Sequence, residues 1–270
     1  MGVEAVVNQA EVLTPSLEVV LATYNGADFL EQQLQSLLQQ WKQPDRLIVQ
    51  DDCSTDGTAE ILLEWAERHP NWIRQLPCSA QRVGPKTMFS TLLSVTTAPY
   101  VALCDQDDVW QPQRLLHGLK LIQSIEQRSP KGSHQPLLVH SDAELIDANG
   151  DPLSKTLWQW HHVDEHPAPL WRLWIRNQIT GCTVLVNRAL LDLALPIPTE
   201  AILHDWWLAL IACKTGGLNA LPEVLLQHRR HHSNASGGLI HPWRKPIKLT
   251  RKLHAAIKQF QALQRRHLEY

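Results

Sequence analysis

Long apolar runs are missing from this sequence of 270 residues. No segment approaches the roughly 20 consecutive apolar residues that a membrane-spanning helix needs. The N-terminus also lacks the basic region followed by an apolar core that characterises a signal peptide. We therefore expect a protein that neither crosses a membrane nor enters a secretory pathway by a signal peptide.

Cysteine is scarce, and its spacing shows no close pairing. The odd number of cysteines argues against the disulfide framework of a small secreted protein. This usage predicts a reducing compartment, the cytoplasm. The five cysteines are Cys53, Cys78, Cys104, Cys182 and Cys213.

A strong net charge is absent as well, although the overall balance conceals an asymmetry. The formal net charge is −2, but residues 239–270 contain eight Lys or Arg and one Glu, so this tail carries +7 and the remainder −9. Apolar residues recur every three or four positions from Leu249 to Leu263, which predicts a basic amphipathic helix. Residues 244–266 would either contact an anionic membrane surface or pack on the domain with their basic side in water. The acidic remainder and the lack of a recognisable binding module argue against nucleic acid as a partner.

The most informative segment is acidic and spans Leu103–Trp110 (Leu-Cys-Asp-Gln-Asp-Asp-Val-Trp). Its three carboxylates lie within four positions and follow the apolar run 100–103, which is typical of a buried strand that opens onto a cleft. A hard divalent cation, Mg²⁺ or Mn²⁺, neutralises such a cluster and shares its remaining coordination positions with substrate phosphates. The alternative is a solvated acidic turn that caps a helix beginning near Pro112.

The region from residue 17 to residue 103 alternates short apolar runs with amphipathic stretches. This pattern predicts an α/β fold with a mostly parallel central sheet flanked by helices. Ligands of such sheets bind at the carboxyl ends of the strands, and the polar clusters 23–25, 51–52 and 105–108 fall there. We predict strands at 17–23, 46–50, 72–76 and 100–103, and helices at 27–40, 58–69 and 86–96.

Beyond residue 130 the pattern is less regular. A strand is predicted at 137–140 and a buried strand at 181–186. The polar stretch 154–169 is interpreted as a loop over the cleft. An apolar helix is predicted to start around Asp205.

Four segments, in this order along the chain, resemble family 2 glycosyltransferases with the GT-A nucleotide-diphospho-sugar transferase fold. The Asp-Gln-Asp-Asp-Val-Trp and His-Asp-Trp-Trp forms are most similar to the rhamnosyltransferase-like branch, which builds bacterial surface polysaccharides. The resemblance covers a GT-A domain (17–238) and leaves an N-terminal arm (1–16) and the predicted basic helical tail (239–270) outside it. The segments are Glu18–Gly26 (Glu-Val-Val-Leu-Ala-Thr-Tyr-Asn-Gly), Asp51–Thr58 (Asp-Asp-Cys-Ser-Thr-Asp-Gly-Thr), Asp105–Trp110 and His204–Leu208 (His-Asp-Trp-Trp-Leu).

The resemblance implies a site for the nucleotide of a sugar donor. Thr23 matches the position that helps to hold the base, with Tyr24 and Asn25 nearby. Asp51 and Asp52 match a pair of acids, and a carboxylate can accept the N3–H of a uracil or thymine ring. The alternative for these two acids is a helix cap.

The acidic segment and the predicted helix that starts around Asp205 match the two segments that carry the chemistry in this family. Asp105 matches the residue that faces the ribose, and Asp107 the residue that binds the metal ion on the diphosphate. Asp205 matches the general base, and its apolar neighbours would raise its pKa toward the operating pH. Capping of the predicted helix is the alternative role for Asp205.

The segment His228–Gly237 resembles the closing Tyr-Arg-x-His-x-x-Asn motif of the family. Arg229 is at the position of an arginine that could pair with phosphate, and His231 at that of a metal ligand or diphosphate contact. A solvated His/Arg loop is the alternative.

Three positions depart from the pattern of the family. His228 replaces the usual Tyr, and Cys53 stands where Gly is commoner after the paired acids, so that loop is expected to be less permissive in φ. Arg82 begins an Arg-Val-Gly segment where Asn-x-Gly is usual, and it could still reach the nucleotide.

The resemblance implies an inverting, metal-dependent glycosyltransferase of the hexosyltransferase type. The enzyme would transfer a sugar such as rhamnose from a dTDP- or UDP-sugar to a glycan or lipid-linked acceptor, in the cytoplasm or peripherally at the inner membrane. One alternative is a nucleotidyltransferase that makes the activated sugar, which should carry a Gly-rich basic loop where this chain has Ala22–Asn25. The other is a catalytically silent glycan-assembly subunit, which should lack Asp107 or Asp205; both are present.

Overall fold

The structure is a computed structural model that describes residues 16–78, 81–163 and 169–231, together with Lys258 and Gln261. The predicted N-terminal arm 1–16, apart from its last residue, therefore lies outside the described residues. So does the predicted basic helical tail 239–270, apart from those two residues. Within the part that is described, none of the helices has the length and apolarity that crossing a bilayer requires.

The first half of the chain builds the parallel part of a sheet. Apolar side chains fill both faces of its central strands, which are buried over nearly their whole length, as in sheets covered by helices on two sides. In chain order the elements are β1 (Leu17–Thr23), α1 (Ala27–Leu38), β2 (Arg46–Asp51), α2 (Thr58–Arg68), β3 (Ile73–Gln75), α3 (Pro85–Ser94) and β4 (Tyr100–Cys104). The prediction for this half is confirmed, with ends that differ by one or two residues.

The second half adds helices of very different lengths and strands that run in both directions. A 3₁₀ turn, Gly132–His134, lies between the helix Arg114–Arg128 and the strand Leu138–Ile146. The elements are β5 (Val109–Trp110), α4 (Arg114–Arg128), β6 (Leu138–Ile146), β7 (Pro152–Thr156), α5 (Leu157–His161), α6 (Leu170–Ile175), β8 (Val184–Asn187), α7 (Arg188–Ala194), α8 (His204–Lys214) and β9 (Leu218–Arg229).

All nine strands of the described residues belong to one sheet. Their order is β3-β2-β1-β4-β8-β6-β9-β5, and β7 pairs with β6 outside this path. The pairings show that β5, β7 and β8 run against the other six strands. The predicted α/β class with a mostly parallel sheet is therefore confirmed.

Helices cover the sheet on two sides and divide the core into two clusters. On one face α1, α2 and α4 pack against the sheet through side chains such as Leu34, Trp65 and Ile122. On the other face α3, α7 and α8 do so, with Phe89 and Trp207 fully or almost fully buried. Side chains along β1 alternate between the two clusters, as the period of a strand requires. Because helices pack on both faces of the sheet, the strand ends are held in fixed positions.

Two predictions for the second half were wrong in detail. The described part of the predicted loop 154–169 contains the end of β7 and then α5, and Pro169 caps the start of α6. Thr156 starts α5 with a capping box, in which its hydroxyl accepts the N–H of Gln159 and the Gln159 side chain accepts the N–H of Thr156. The predicted strand 181–186 begins with a 3₁₀ turn at 181–183, and β8 follows it.

Candidate active site

The carboxyl ends of β1, β2 and β4 meet at one edge of the sheet. In the strand registers Thr23 pairs with Asp51, and Leu21 pairs with Cys104. The chain leaves all three strands at this edge, so the polar clusters 23–25, 51–52 and 105–108 come together there, as the strand pattern predicted. This edge is the candidate active site.

Thr23 and Asp51 form a buried hydrogen-bonded pair. The hydroxyl of Thr23 donates to Asp51 Oδ1 over 2.7 Å. Ser54 donates to both carboxylate oxygens of Asp51, through its hydroxyl at 2.6 Å and its N–H at 2.8 Å. Because a buried carboxylate is stable only when donors satisfy it, these contacts fix the loop that follows β2. The roles of Thr23 and Asp51 in holding a base stay predictions.

Asp52 ties this loop to the segment that precedes α3. Its two oxygens accept the N–H groups of Val83 at 2.7 Å and Gly84 at 2.8 Å, and the side chain is buried. The next residue, Cys53, has a φ of 62°, in the left-handed region that favours glycine. The backbone at position 53 therefore has a conformation that glycine adopts with less strain than the cysteine that is present.

The other predicted nucleotide residues also lie side by side. Gln106 holds the backbone of Tyr24, because its side chain accepts the Tyr24 N–H at 2.7 Å and donates to the Tyr24 carbonyl at 2.9 Å. The guanidinium carbon of Arg82 lies 3.8 Å from the centre of the Tyr24 ring, a cation–π contact. Asn25, at a φ of 47°, accepts the N–H of Thr55 through its side-chain oxygen at 2.8 Å. Tyr24, Asn25 and Arg82 therefore form one wall beside the acidic segment.

The three carboxyl groups of the acidic segment crowd together at the end of β4. Burial, reinforced by the negative charges of Asp108 and Asp107, raises the pKa of Asp105 to about 8. Asp108 is fully buried, and burial alone would raise its pKa, but the charge of His228 and the hydrogen bonds that Asp108 accepts lower it. The three carboxyl groups therefore resist being ionised together at neutral pH unless a further positive charge lies close to them.

His228, at the end of β9, provides the main compensation for Asp108. Its Nδ1 lies 2.8 Å from Asp108 Oδ1 and 3.6 Å from the sulfur of Cys182. Although burial lowers the pKa of His228, the Asp108 carboxylate raises it to about 9, so the ring is protonated at neutral pH. Asp108, Cys182 and His228 have the composition of a metal site. Structural zinc sites generally take four protein ligands, and this buried group supplies three.

The predicted phosphate contact of Arg229 does not fit its surroundings. Its side chain is buried, and its Nε donates to the carbonyl of Asp107 at 3.0 Å. One terminal nitrogen donates to Gln32 Oε1 at 2.7 Å, and the other to the carbonyls of Asp147 and Ala148. Arg229 therefore stabilises the acidic turn from the interior of the protein. The sequence motif gave its position but not the direction of its side chain.

His231 lies where a metal ligand is predicted. Its Nε2 is 2.8 Å from Asp107 Oδ2, and its ring packs on Phe29 with 4.9 Å between ring centres. The imidazole nitrogen and the carboxylate oxygen thus point to the same place, next to the crowded carboxyl of Asp105. Oxygen and nitrogen donors on an acidic cluster with excess negative charge suit a divalent cation such as Mn²⁺ or Mg²⁺.

Asp205 lies in the first turn of α8 and is buried, close enough to the acidic segment that its charge contributes to the raised pKa of Asp105. Its Oδ1 accepts the side-chain N–H of Asn177 at 3.2 Å and the N–H of Trp206 at 2.6 Å, and its Oδ2 accepts the N–H of Gly181 at 3.1 Å. Burial raises the pKa of Asp205 to about 6, although these hydrogen bonds act in the opposite direction. This carboxyl can exchange a proton near neutral pH.

Three residues with a part in this arrangement were not singled out from the sequence. Gln106 positions Tyr24, and Gln32 receives Arg229, as described above. Asn177 donates to Asp205 and also accepts the N–H of Ile179 at 3.0 Å. Each acts through a contact between residues at least 28 positions apart in the chain, and no local pattern marks such a contact.

Comparison with solved structures shows the fold to be of the GT-A type. A mannosyltransferase from Pyrobaculum calidifontis, solved with GDP-Man and Mn²⁺, matches with a TM-score of 0.63 at 20% identity, over 94% of this chain and 65% of that chain. Residues 1–349 of TarS from S. aureus, solved with UDP, match with a TM-score of 0.58 at 19% identity, over 80% of this chain and 61% of that chain.

Sequence comparison supports glycosyl transferase family 2. Residues 18–135 match the model of that family. An uncharacterized protein of Mycobacterium tuberculosis is 28% identical over 220 residues, 80% of this chain and 59% of the relative. The putative teichuronic acid biosynthesis glycosyltransferase TuaG of Bacillus subtilis is 28% identical over 175 residues, 64% of this chain and 63% of the relative. The chain thus spans about three fifths of the length of these curated relatives.

A rhamnosyl transferase is also similar, over a shorter stretch. The dTDP-rhamnosyl transferase RfbG of Shigella flexneri is 30% identical over 102 residues, which is 37% of this chain and 35% of the relative. This partial match gives weak support to the rhamnosyltransferase-like branch. The comparisons therefore support a family 2 glycosyltransferase and leave its sugar open.

Proposed function

We propose that this protein is an inverting, metal-dependent glycosyltransferase that uses a nucleoside diphosphate sugar as its donor. One observation carries the proposal: three crowded carboxyl groups lie at the carboxyl edge of the sheet, and a separate buried carboxyl has a pKa raised to about 6. The first group suits a cation and a diphosphate, and the second suits a base. The similarity to glycosyltransferases supports the same division of roles.

The donor side of the site would bind the nucleotide and its diphosphate. Tyr24 and Asn25, with Arg82 beside them, offer ring and polar contacts to a base, close to the buried Thr23. Asp51 and Asp52 shape the wall by fixing the two loops that flank it. Asp105 would face the ribose, as the family resemblance implies.

Asp107 and His231 would hold the divalent cation. A bound cation of this kind stabilises the negative charge that develops on a nucleoside diphosphate leaving group. The position of their ligand atoms, 2.8 Å apart in the crowded acidic segment, supports this assignment, since a cation there would favour the ionised form of the Asp105 carboxyl, whose pKa is raised. The mannosyltransferase with a similar fold was solved with GDP-Man and Mn²⁺.

Asp205 would act on the acceptor. Its carboxylate takes the proton of an acceptor hydroxyl while that oxygen attacks the anomeric carbon from the face opposite the diphosphate. The bond from this carbon to the diphosphate breaks in the same step, so the anomeric configuration is inverted. A base whose pKa lies near the operating pH is most effective in such a transfer, and burial gives Asp205 this property. Asn177 and the N–H of Gly181 orient the carboxylate.

We propose dTDP-rhamnose as the donor and a glycan or lipid-linked glycan as the acceptor, in bacterial surface polysaccharide synthesis. The partial similarity to a dTDP-rhamnosyl transferase supports the donor, and the similarity to a putative teichuronic acid biosynthesis enzyme supports the pathway class. A pyrimidine nucleotide also suits the paired acids. The proposed location is the cytoplasm or the inner face of the membrane, with the basic tail as the contact.

The deciding experiment is calorimetric titration of the protein with dTDP, UDP, GDP and CDP, each with and without Mn²⁺. We expect Mn²⁺-dependent binding of dTDP by the wild-type protein and by the control variant Asp192→Ala, which removes an exposed acid of α7. The variant Asp107→Ala should lose at least about tenfold in affinity, and only in the presence of the metal. Preference for UDP or GDP would remove rhamnose as the donor, and absence of nucleotide binding would contradict the enzyme class.

A further inference from the structure

Two cysteines that are far apart in the sequence lie side by side next to the proposed donor wall. The sulfur atoms of Cys53 and Cys78 are 3.2 Å apart. Cys53 is half-buried in the loop after β2, and Cys78 is exposed in the segment after β3. The other three cysteines have different surroundings, since Cys104 and Cys182 are buried and Cys213 lies half-buried near the end of α8.

Hydrogen bonds of the neighbouring residues hold this pair of loops together. Asp52, next to Cys53, accepts the N–H groups of Val83 and Gly84, and Gln50 of β2 donates to the carbonyl of Pro77, next to Cys78, at 3.0 Å. The left-handed backbone of Cys53 sets the turn that brings its sulfur to this segment. The proximity of the two sulfurs thus has a structural cause within the described residues.

The distance is close to that of a covalent bond between the sulfurs. A disulfide has an S–S length of about 2.05 Å, so the two atoms would need to approach by roughly 1.2 Å. An exposed segment such as that of Cys78 can supply this small movement without disturbing the strands. The exposed sulfur of Cys78 is also open to a small oxidant, whereas Cys104 and Cys182 are enclosed by the core.

We propose that Cys53 and Cys78 are a redox modification site, which a low-molecular-weight disulfide such as oxidised glutathione converts into an intramolecular disulfide. The thiolate of Cys78 attacks the small disulfide, forms a mixed disulfide and releases one small thiol. The thiolate of Cys53 then attacks the Cys78 sulfur and releases the second small thiol. Two protein thiols are oxidised and one small disulfide is reduced to two thiols, so electrons and protons balance.

The bond would close a covalent loop from residue 53 to residue 78, around α2 and β3. A cross-link of this length restricts the unfolded chain and raises the thermal midpoint of unfolding. It would also join the loop of the paired acids to the segment that carries Arg82. Formation of the bond does not depend on the proposed function, because it follows from the positions of the two sulfurs.

The test is oxidation of the full chain with a glutathione redox buffer, followed by peptide mapping and thermal unfolding. Wild type and the control variant Cys213→Ser should both yield a peptide linked through Cys53 and Cys78. Their unfolding midpoint should rise by about 4 °C or more and fall again after reduction. Neither Cys53→Ser nor Cys78→Ser should show the rise.

Three outcomes would overturn the proposal. One is that Cys53 and Cys78 remain free thiols, or retain glutathione on Cys78 without forming the linked peptide. Another is that either cysteine links to a different partner. The third is an equal rise of the midpoint in all four proteins, because it would show that oxidation acts elsewhere.

Discussion

Replacement of the proposed base by its amide, Asp205→Asn, should stabilise the protein at neutral pH while it abolishes transfer. The pKa of the Asp205 carboxyl is about 6 in the folded protein, because it is buried, and 3.8 is its ordinary value. Between these pH values the folded state binds more protons than the unfolded state, so stability falls as the pH rises from about 4 to about 6. Two pKa units correspond to about 3 kcal/mol, which is the cost of keeping the ionised group buried at pH 7.5.

The amide has no charge, so it avoids this cost, but it also loses a hydrogen bond. One of its ends is an NH₂ group, which cannot accept the N–H of Gly181 as the Asp205 carboxylate does. This mismatch costs about 1 kcal/mol at every pH. Asp205→Asn should therefore be more stable than wild type by about 2 kcal/mol at pH 7.5 and less stable by about 1 kcal/mol at pH 4.

Urea unfolding at about pH 4, 5.5 and 7.5 measures this reversal of sign. Asp192→Asn, which neutralises an exposed acid of α7, is the control and should follow the wild-type curve. Parallel curves for wild type and Asp205→Asn, with no crossing, would refute a raised pKa at Asp205. In transfer assays, the loss of a general base should lower the rate by about 10²–10⁴-fold with donor binding unchanged. The wild-type rate should fall about tenfold per pH unit below pH 6, where the base is protonated.

Two further substitutions test contacts of the fold, one beside the site and one at the opposite end of β4. Asp52→Ala removes the acceptor of the Val83 and Gly84 N–H groups. It should destabilise the protein by about 2 kcal/mol and speed proteolysis of the loop before α3. An unchanged rate of cleavage would contradict the role of these hydrogen bonds in holding the loop. Tyr100→Phe removes a hydroxyl that donates to the buried Glu126 carboxylate at 2.5 Å, and it should lower the free energy of unfolding by about 2 kcal/mol, measured with urea; a neutral effect would show that this carboxylate is satisfied without it.

The sequence was sufficient for the first half of the fold because the signals there are local. The strands 17–23, 46–51 and 100–104 are buried on both faces, and each contains a run of at least three consecutive apolar residues. Pro85 after Gly84 marks the start of α3, and the Asp-Gly-Thr turn marks that of α2. Once the strands were placed, the meeting of Thr23, Asp51 and the acidic segment followed from the geometry of parallel strands.

The long strand β9 could not be predicted in the same way. Leu218–Arg229 contains Pro222, and its exposed and buried residues do not alternate regularly. Its pairing with β6 shifts register near Ser141 and Asp142, so the strand lacks a constant period of two. The positions of His228 and Arg229 depend on this pairing across the sheet. The motif alone therefore marked these two positions, but it did not indicate that the Arg229 side chain faces the protein interior.

The contact of β9 with the acidic segment explains how the protein tolerates Asp108. A fully buried carboxylate without a partner would be strongly destabilising, and residues 105–110 of the acidic turn include no Lys, Arg or His. The protonated His228 ring and the N–H of Arg229, at 3.2 Å, stabilise Asp108 from β9. A tyrosine at position 228, as in the family motif that this segment resembles, would bring a hydroxyl but no positive charge. His228 therefore compensates Asp108 within the protein, which leaves Asp107, beside His231, as the carboxylate that the proposed cation would neutralise.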